Sequence, residues 1–435
     1  MEWAPAIVAL TLLGVAAISR RLSGTPVTPV MVFVVVGLLV GPEVLDEIDV
    51  ESSSGSVRTL AEATLALVLF CDASRIDLRE LRREVGVPVR LLGIGLPLTI
   101  ALGAVVAAVV FDRLTIEEAV ILAVVLAPTD AALGQAVVTE PRIPPRIRQG
   151  LNVESGLNDG ICVPLLFAAV AVADVTSEIS GGRGAASLLL EEIGYGVLGG
   201  VIGGLVVAAI VTQAGRRELI ADQWRQVIPA AGAALAYGTA SALDGSGFIA
   251  AFVAGMTFRF ALRRDPGQIN DFGEQVGDVL NGVTFVLFGA ILLGPSLGEL
   301  TWQLALYAVL SLTLVRIVPV AIAMAGSHAR LPTLGFLGWF GPRGLASIVF
   351  AVIVVEESNL PHERLIVLAI YLTVGLSVFA HGVTAAPLAG RYARWYQRHP
   401  RDQSPPMESA PAEVTRSRGH AVAHESSRSS AASTS

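Results

Sequence analysis

The stretch that decides the fold runs from residue 152 to residue 160 and reads N-V-E-S-G-L-N-D-G. It opens an apolar run that is long enough to cross a bilayer, where polar side chains are costly. On a helix, residues four positions apart lie one above the other. One stripe therefore carries Glu154 and Asn158, and the neighbouring stripe carries Ser155 and Asp159. The default interpretation of such a cluster is a binding site for an ion or a proton.

The composition of the chain predicts an all-α polytopic membrane protein. Of its 435 residues, 53% are hydrophobic and only 15% are charged, and the mean hydropathy is +0.66. A soluble chain would carry about 25% charged residues. All thirty basic residues are Arg, which excludes Schiff-base chemistry on Lys. Because we find no basic patch for nucleic acid, no metal-ligand cluster and no nucleophile with a paired base, we expect neither an enzyme nor a bound cofactor.

Apolar runs of about 17 to 25 residues can cross a bilayer, and the chain contains thirteen candidates. They cover residues 4–20, 27–41, 57–74, 87–111, 117–138, 151–174, 187–213, 226–243, 247–262, 276–294, 301–325, 335–355 and 363–389. With the N-terminus outside, seventeen arginines lie on the cytoplasmic side and four on the opposite side, as the positive-inside rule requires. We predict a multi-pass protein of the cell (inner) membrane with a cytoplasmic C-terminus. The composition changes after Arg391, and residues 400–435 hold almost no large apolar side chains, so we predict a disordered cytoplasmic tail over residues 391–435.

Two of these spans are interrupted by a proline beside a charge. Span five reads A-P-T-D at 127–130, which ends in Thr129 and Asp130, and span twelve reads G-P-R-G at 341–344, which contains Arg343. Proline removes a backbone hydrogen bond and pushes the residue before it out of helical geometry. A helix broken at membrane depth must line a cavity or be covered by protein. We expect Asp130 and Arg343 to neutralise the partial charges at the half-helix ends.

The two interrupted spans are seven spans apart, which predicts two repeats of inverted topology with crossed discontinuous helices. Repeat one covers about residues 4–174, repeat two about residues 226–389, and the span at 187–213 joins them within a transmembrane domain of residues 1–390. In transporters built this way, the broken helices meet near the midplane and form the binding site. The joining span carries glycines four residues apart, which allow close helix approach within one protomer or between two.

Other polar groups inside the spans need partners. Arg316 in span eleven is a buried arginine, and Glu154 is the partner that we expect for it. Asp72, at the inner end of span three, either faces the arginine three residues later or lines the cytoplasmic approach to the site. Glu62 and His381 are expected to be packed residues with satisfied hydrogen bonds.

Taken together, these motifs resemble the cation/proton antiporters, specifically the NhaP-type sodium/proton exchangers, over about residues 1–390. The matching pieces are A-P-T-D at 127–130, E-S-x-x-N-D at 154–159, Arg316 in span eleven and G-P-R-G at 341–344. The resemblance implies a homodimer in which each protomer is divided into a dimerisation part and a mobile core that carries the ion.

By this resemblance, Asp159 is similar to the carboxylate that binds the cation and the proton in turn. Ser155 and Thr129 resemble the residues that complete the coordination of Na⁺, and Asn158 is the partner within the N-D pair. Asp130 belongs to the same predicted ion-binding set. The resemblance also implies a structural ion pair of Glu154 with Arg316, while Asp72 stands where relatives place an acidic residue near the ion.

The N-D pair holds one carboxylate, so we predict electroneutral exchange of one cation for one proton. Burial disfavours the charged form of a carboxylate, and a bound cation favours it. We therefore expect Na⁺ (or Li⁺) and H⁺ to compete at Asp159 during alternating access. The expected physiological role is pH homeostasis. A potassium/proton antiporter is one alternative, because oxygen ligands serve both ions. A sodium-coupled symporter of an organic anion is another, although the spans carry few extra polar groups for a larger ligand.

Overall fold

Helices account for all the regular secondary structure in the part of the chain that the structure describes. The structure is a computed structural model that describes residues 3–22, 25–44, 50–75, 86–130, 132–138, 140–177, 183–262, 267–358 and 360–398. The predicted all-α class is therefore confirmed over these residues.

The first half of the chain forms seven helices among the described residues. They are α1 (Ala4–Leu22), α2 (Pro29–Val40), α3 (Val50–Arg75), α4 (Gly86–Val110), α5 (Ile116–Val125), α6 (Gln135–Val138) and α7 (Pro145–Ser177). A capping box begins α5, because Thr115 accepts from the backbone N–H of Glu118 and Glu118 accepts from that of Thr115. One π-helical turn, Leu91–Gly95, interrupts α4.

The second half adds nine longer helices among the described residues. They are α8 (Arg183–Arg216), α9 (Ile228–Ser241), α10 (Gly247–Leu262), α11 (Gly267–Leu287), α12 (Trp302–Leu312), α13 (Leu314–Ala323), α14 (Leu331–Trp339), α15 (Leu345–Glu357) and α16 (Glu363–Gln397). Short helices occupy Asp222–Arg225 and Gly294–Leu297, and a π-helical turn occupies Phe288–Leu293.

Six helices of the described chain are long and apolar enough to cross a membrane, judged by length and composition. They are Gly86–Val110, Pro145–Ala173, Leu190–Arg216, Gln275–Leu297, Trp302–Ala323 and Glu363–Gln397. These helices support a multi-pass membrane protein. The count of thirteen spans, the inverted repeats and the orientation of the termini stay predictions.

The last helix extends beyond residue 390, into the predicted tail. Helix α16 continues to Gln397 because Tyr392 is buried and its ring stacks on Phe336 at a centroid distance of 4.3 Å. The first part of the predicted tail is therefore helical and packed. Residues 399–435, which hold the rest of it, lie outside the described residues.

Three of the predicted spans are interrupted by non-helical backbone. Span five is split between α5 and α6, and span twelve is split between α14 and α15, at the two proline motifs. The backbone N–H of Asp130 donates to the Pro342 carbonyl at 2.8 Å, so the two interrupted stretches touch. The third interruption, at Thr313 with φ −111° and ψ −84°, separates α12 from α13 and is absent from the prediction.

The glycine-rich helix α8 packs closely on two helices of the same protomer. A Cβ added at Gly200 would lie 2.6 Å from the carbonyl oxygen of Ala250 in α10. One added at Gly203 would lie 3.2 Å from the Cα of Ala236 in α9. These glycines therefore allow in-chain helix approach, which is one of the two roles that their spacing predicts.

Candidate functional site

The first break, the non-helical stretch between α5 and α6, leaves carbonyl groups at the end of α5 without a partner in the helix. Side chains of α15 and of the residues just before it donate hydrogen bonds to these carbonyls. Ser347 Oγ donates to the carbonyl of Val125 at 2.8 Å. Arg343 Nη1 donates to the carbonyls of Ala127 and Pro128 at 2.5 and 3.1 Å. Arg343 is 0% exposed, so its positive charge is buried at the partly negative C-terminal end of α5.

Asp130 lies at the opposite kind of helix end. Its Oδ2 accepts from the backbone N–H of Leu345 at 3.0 Å, and its Oδ1 accepts from that of Ala132 at 2.8 Å. Leu345 is the first residue of α15, so the carboxylate faces the partly positive N-terminal end of that half-helix. A side chain at Gly344 would collide with this carboxylate, which explains the glycine there.

Glu154 and Arg316 form a bidentate ion pair between α7 and α13. Arg316 Nη1 donates to Oε1 at 2.5 Å and Nη2 donates to Oε2 at 2.8 Å, and each residue is 3% exposed. The planar guanidinium matches the two carboxylate oxygens in this geometry. Gly341 makes room for the arginine, because a Cβ there would lie 2.9 Å from Cδ and Cζ of Arg316. The pair therefore packs directly against the second break, the non-helical stretch between α14 and α15.

Thr129 connects the first break to the polar stretch of α7. Ser155 Oγ donates to the Thr129 carbonyl at 2.5 Å, and Asn158 Nδ2 donates to Thr129 Oγ1 at 2.7 Å. Asn158 Oδ1 and Asp159 Oδ1 are buried and have no hydrogen-bond partner among the described residues. Two neighbouring residues of α7 thus each present an oxygen that can bind a cation, and the Asp159 carboxylate can also bind a proton.

A small cavity of about 20 Å³ lies between the two breaks, which is enough for one water molecule or one bare monovalent cation. Its lining consists of Thr129, Asp130, Gly134, Val137, Leu151, Ser155, Phe340 and Pro342. Asp159 does not belong to this lining, so the cavity lies beside the predicted carboxylate rather than around it.

Asp72 of α3 lies beside the polar stretch of α7. A Cβ added at Gly156 would lie 3.4 Å from the Cβ of Asp72, so α3 packs on α7 just before Asp159. Asp130 and Asp72 lie close enough to Asp159 for their charges to act on it. The structure therefore brings three carboxylates into one region.

Several residues of this site were not predicted. Ser347 and Ser377 supply hydroxyl groups to the two breaks, and Thr313 interrupts the helix three residues before Arg316. Single serines and threonines in apolar helices carry no local mark of such roles, because a hydroxyl can also bond to its own helix. The roles of these residues become visible only in the structure, where the helices cross and bring the hydroxyl groups to the breaks.

Glu62, which is half-buried, and His381, which is buried, both make the hydrogen bonds that we expected. Tyr237 Oη donates to Glu62 Oε2 at 3.3 Å, and His381 Nε2 lies 3.0 Å from the carbonyl oxygen of Trp339. A further buried carboxylate, Glu118, accepts from the backbone N–H of His362 at 2.8 Å. The T-x-x-E spacing of the capping box is the sequence signal that marks Glu118.

A membrane protein whose described residues form helices, and in which two proline-interrupted helices touch, with each of these breaks neutralised by a charge from the other, has the architecture of a secondary transporter. The chain belongs to the sodium/hydrogen exchanger family, because the family model described as "Sodium/hydrogen exchanger, transmembrane" matches residues 7–391.

Relatives and a solved structure agree with this assignment. The K⁺/H⁺ antiporter NhaP2 of Shewanella oneidensis is 26% identical over 388 residues, which cover 85% of this chain and 64% of that protein. The Na⁺/H⁺ antiporter of Schizosaccharomyces pombe is 25% identical over 258 residues, which cover 55% of this chain and 54% of that protein. The chain thus spans less than two thirds of the length of these relatives.

The fold itself is similar to a solved structure, that of the sodium proton antiporter MjNhaP1 from Methanocaldococcus jannaschii at pH 8. The TM-score is 0.68 at 19% identity, and the match covers 88% of this chain and 98% of that chain. The resemblance to NhaP-type exchangers that the motifs indicated is therefore confirmed.

Proposed function

We propose that this chain is an electroneutral sodium (or lithium)/proton antiporter in which Na⁺ and H⁺ compete at Asp159. The observation that supports this most is the Oδ1 atom of Asp159, which is buried and has no hydrogen-bond partner among the described residues. It follows directly on Asn158, which is tied to Thr129 and hence to the first break. An unpartnered buried carboxylate oxygen is costly, and either a proton or a cation removes that cost.

The cation is a substrate in this proposal, held by Asp159 together with oxygens of Ser155 and Thr129. The Ser155 hydroxyl donates its proton to the Thr129 carbonyl, which leaves the lone pairs of the hydroxyl oxygen available. Asp130 lines the adjacent cavity and adds negative charge. Asp72 contributes a further carboxylate on the cytoplasmic approach.

The charge of the site determines when the core can move between the two sides of the membrane. With either a proton or a monovalent cation bound, Asp159 is neutral and the core can move across the membrane. The bare carboxylate is held back, because moving a charge through apolar surroundings is costly. One carboxylate thus carries one charge in each direction, and the net exchange moves none.

The proposal extends to the assembly and its place in the cell. The chain works as a homodimer in the cell (inner) membrane, with thirteen spans arranged as two inverted repeats, the N-terminus outside and the C-terminus in the cytoplasm. Its physiological role is pH homeostasis. Helix α8, which presents several exposed apolar side chains, joins the two repeats.

A potassium/proton antiporter is the second candidate, because the Shewanella relative carries that name. Reconstitution into liposomes with an imposed pH gradient separates the candidates when Na⁺, Li⁺, K⁺ or choline is added in turn. Dissipation of the gradient by Na⁺ and Li⁺ alone supports the first proposal, and dissipation by K⁺ supports the second. Transport that requires an organic anion would replace both with symport.

The role of Asp159 has its own test. We expect Asp159→Asn to abolish exchange while thermal unfolding of the purified protein stays at the wild-type temperature. Asp112→Asn, which changes an exposed carboxylate, is the matched control and keeps full activity. Residual cation-dependent exchange in Asp159→Asn would remove Asp159 from the central role.

A further inference from the structure

Helix α16 supplies two side chains to the backbone of the second break. Ser377 Oγ accepts from the backbone N–H of Arg343 at 2.7 Å. His381, four residues later, places its Nε2 3.0 Å from the carbonyl oxygen of Trp339. Trp339 ends α14, and Arg343 lies two residues before α15 begins at Leu345, so α16 binds the break on both sides.

The two ring nitrogens of His381 connect these two contacts. Nε2 lies 3.0 Å from the Trp339 carbonyl oxygen, and Nδ1 lies 3.1 Å from the Ser377 carbonyl oxygen and 3.2 Å from the Ser377 hydroxyl. The same hydroxyl oxygen accepts from the backbone N–H of Arg343. Both side chains are 0% exposed, so no bulk water replaces either bond. The bonds therefore run from Arg343 through Ser377 and His381 to Trp339.

The position of the Arg343 backbone matters at the other break. From that backbone the guanidinium reaches the carbonyls of Ala127 and Pro128, which directly precede Thr129. Thr129 in turn holds Ser155 through its carbonyl group. A shift of Arg343 would therefore move the oxygens proposed to bind the cation.

We propose that Ser377 and His381 are positioning residues that set the geometry of the cation site by holding the backbone of Arg343. Neither touches the cation. This inference rests on the proposed function for its effect on transport, but the hold on the backbone itself does not depend on that function.

The same two helices offer a matched control away from the break. The hydroxyl groups of Tyr392 and Thr333 lie 2.9 Å apart, and the Tyr392 ring stacks on Phe336. Tyr392→Phe removes this hydrogen bond between α16 and α14 and keeps the ring. It therefore perturbs the helix pair without changing any bond to the break.

The test compares Ser377→Ala, His381→Leu, His381→Gln and Tyr392→Phe. Glutamine keeps an N–H donor at the end of its side chain, whereas leucine has none. Hydrogen–deuterium exchange, read by mass spectrometry on peptides that cover residues 340–346, reports on the break directly. Cation-dependent exchange in liposomes gives KM and the maximal rate for each variant.

We expect Ser377→Ala and His381→Leu to speed deuterium uptake at the break and to raise the KM for the cation about tenfold, the effect of losing one buried hydrogen bond. His381→Gln keeps KM within about threefold, and Tyr392→Phe leaves both readouts at wild-type values. A purely structural role would lower only the amount of active protein, and so only the maximal rate.

Two results would overturn the inference: unchanged deuterium uptake in Ser377→Ala and His381→Leu, or faster uptake with unchanged KM. A wild-type protein that catalyses no exchange would refute the proposed function instead. In that case the uptake comparison with Tyr392→Phe still decides whether the two side chains hold the break.

Discussion

Replacement of Arg316 by leucine is expected to destabilise the protein by about 3–5 kcal/mol, the usual cost of leaving one partner of a buried ion pair alone. Glu154 would lose two donors, at 2.5 and 2.8 Å, while it stays 3% exposed. The cost comes from the uncompensated buried carboxylate rather than from the attraction itself, since desolvation of both groups offsets most of that attraction.

The double variant Arg316→Leu with Glu154→Leu tests this reasoning. It removes both charges together and leaves two apolar side chains, and such replacements are often neutral or even stabilising. We therefore expect the double variant to be more stable than either single variant. A surface pair provides the control: Glu140 and Arg142 are bonded at 2.7 Å, but the arginine side chain is 49% exposed, so Arg142→Gln should leave stability unchanged.

The measurement is unfolding of the purified protein in mixed detergent micelles, followed by circular dichroism, with liposome transport as a second readout. If the pair is only structural, the double variant regains part of the exchange activity that the single variants lose with their fold. The reasoning fails if Arg316→Leu is as stable as Arg142→Gln. It fails equally if the double variant is no more stable than the single ones.

Three further substitutions test neighbouring parts of the site. Gly341→Ala should lower the thermal unfolding temperature, because its methyl group would meet the Arg316 guanidinium, whereas Gly335→Ala has open space and should be tolerated. Asp130→Asn should lower both thermostability and transport, since a neutral amide compensates the helix end less well; normal values of both would contradict this. Asn158→Asp should make transport respond to a potassium–valinomycin potential, because a second carboxylate allows two protons per cation and each net charge gains about 2.3 kcal/mol per 100 mV.

The interrupted helices could be predicted because proline acts locally. It removes its own N–H and constrains the residue before it. Pro164 and Pro387 nevertheless lie inside continuous helices, so in A-P-T-D and G-P-R-G the proline marks a break only together with the charge beside it. Thr313 carries no such mark, since threonine is compatible with a helix. Its non-helical angles belong to a segment that carries Arg316 to a partner 162 residues away, and only the packed structure reveals that requirement.

The side chains that bond to the two proline breaks could be predicted from the sequence only in part. Asp130 and Arg343 stand out because charges in apolar spans are rare. Ser347 and Ser377 do not, because the first reaches a carbonyl 222 residues away and the second an N–H 34 residues away. The helical continuation of α16 into the predicted tail is not evident for a similar reason, since the composition changes near residue 391 while buried Tyr392 still packs on α14.

The hydrogen bonds also indicate where a proton can bind at least structural cost. Protonation of Asp130 would remove the charge that faces the N-terminal end of α15 and weaken its two bonds from backbone N–H groups. Protonation of Glu154 would break a bidentate pair with Arg316. Protonation of Asp159 at Oδ1 disrupts no hydrogen bond among the described residues and neutralises a buried charge. Among Asp130, Glu154 and Asp159, the proposed substrate-binding carboxylate is therefore the one whose charge can change without loss of a hydrogen bond from the surrounding scaffold.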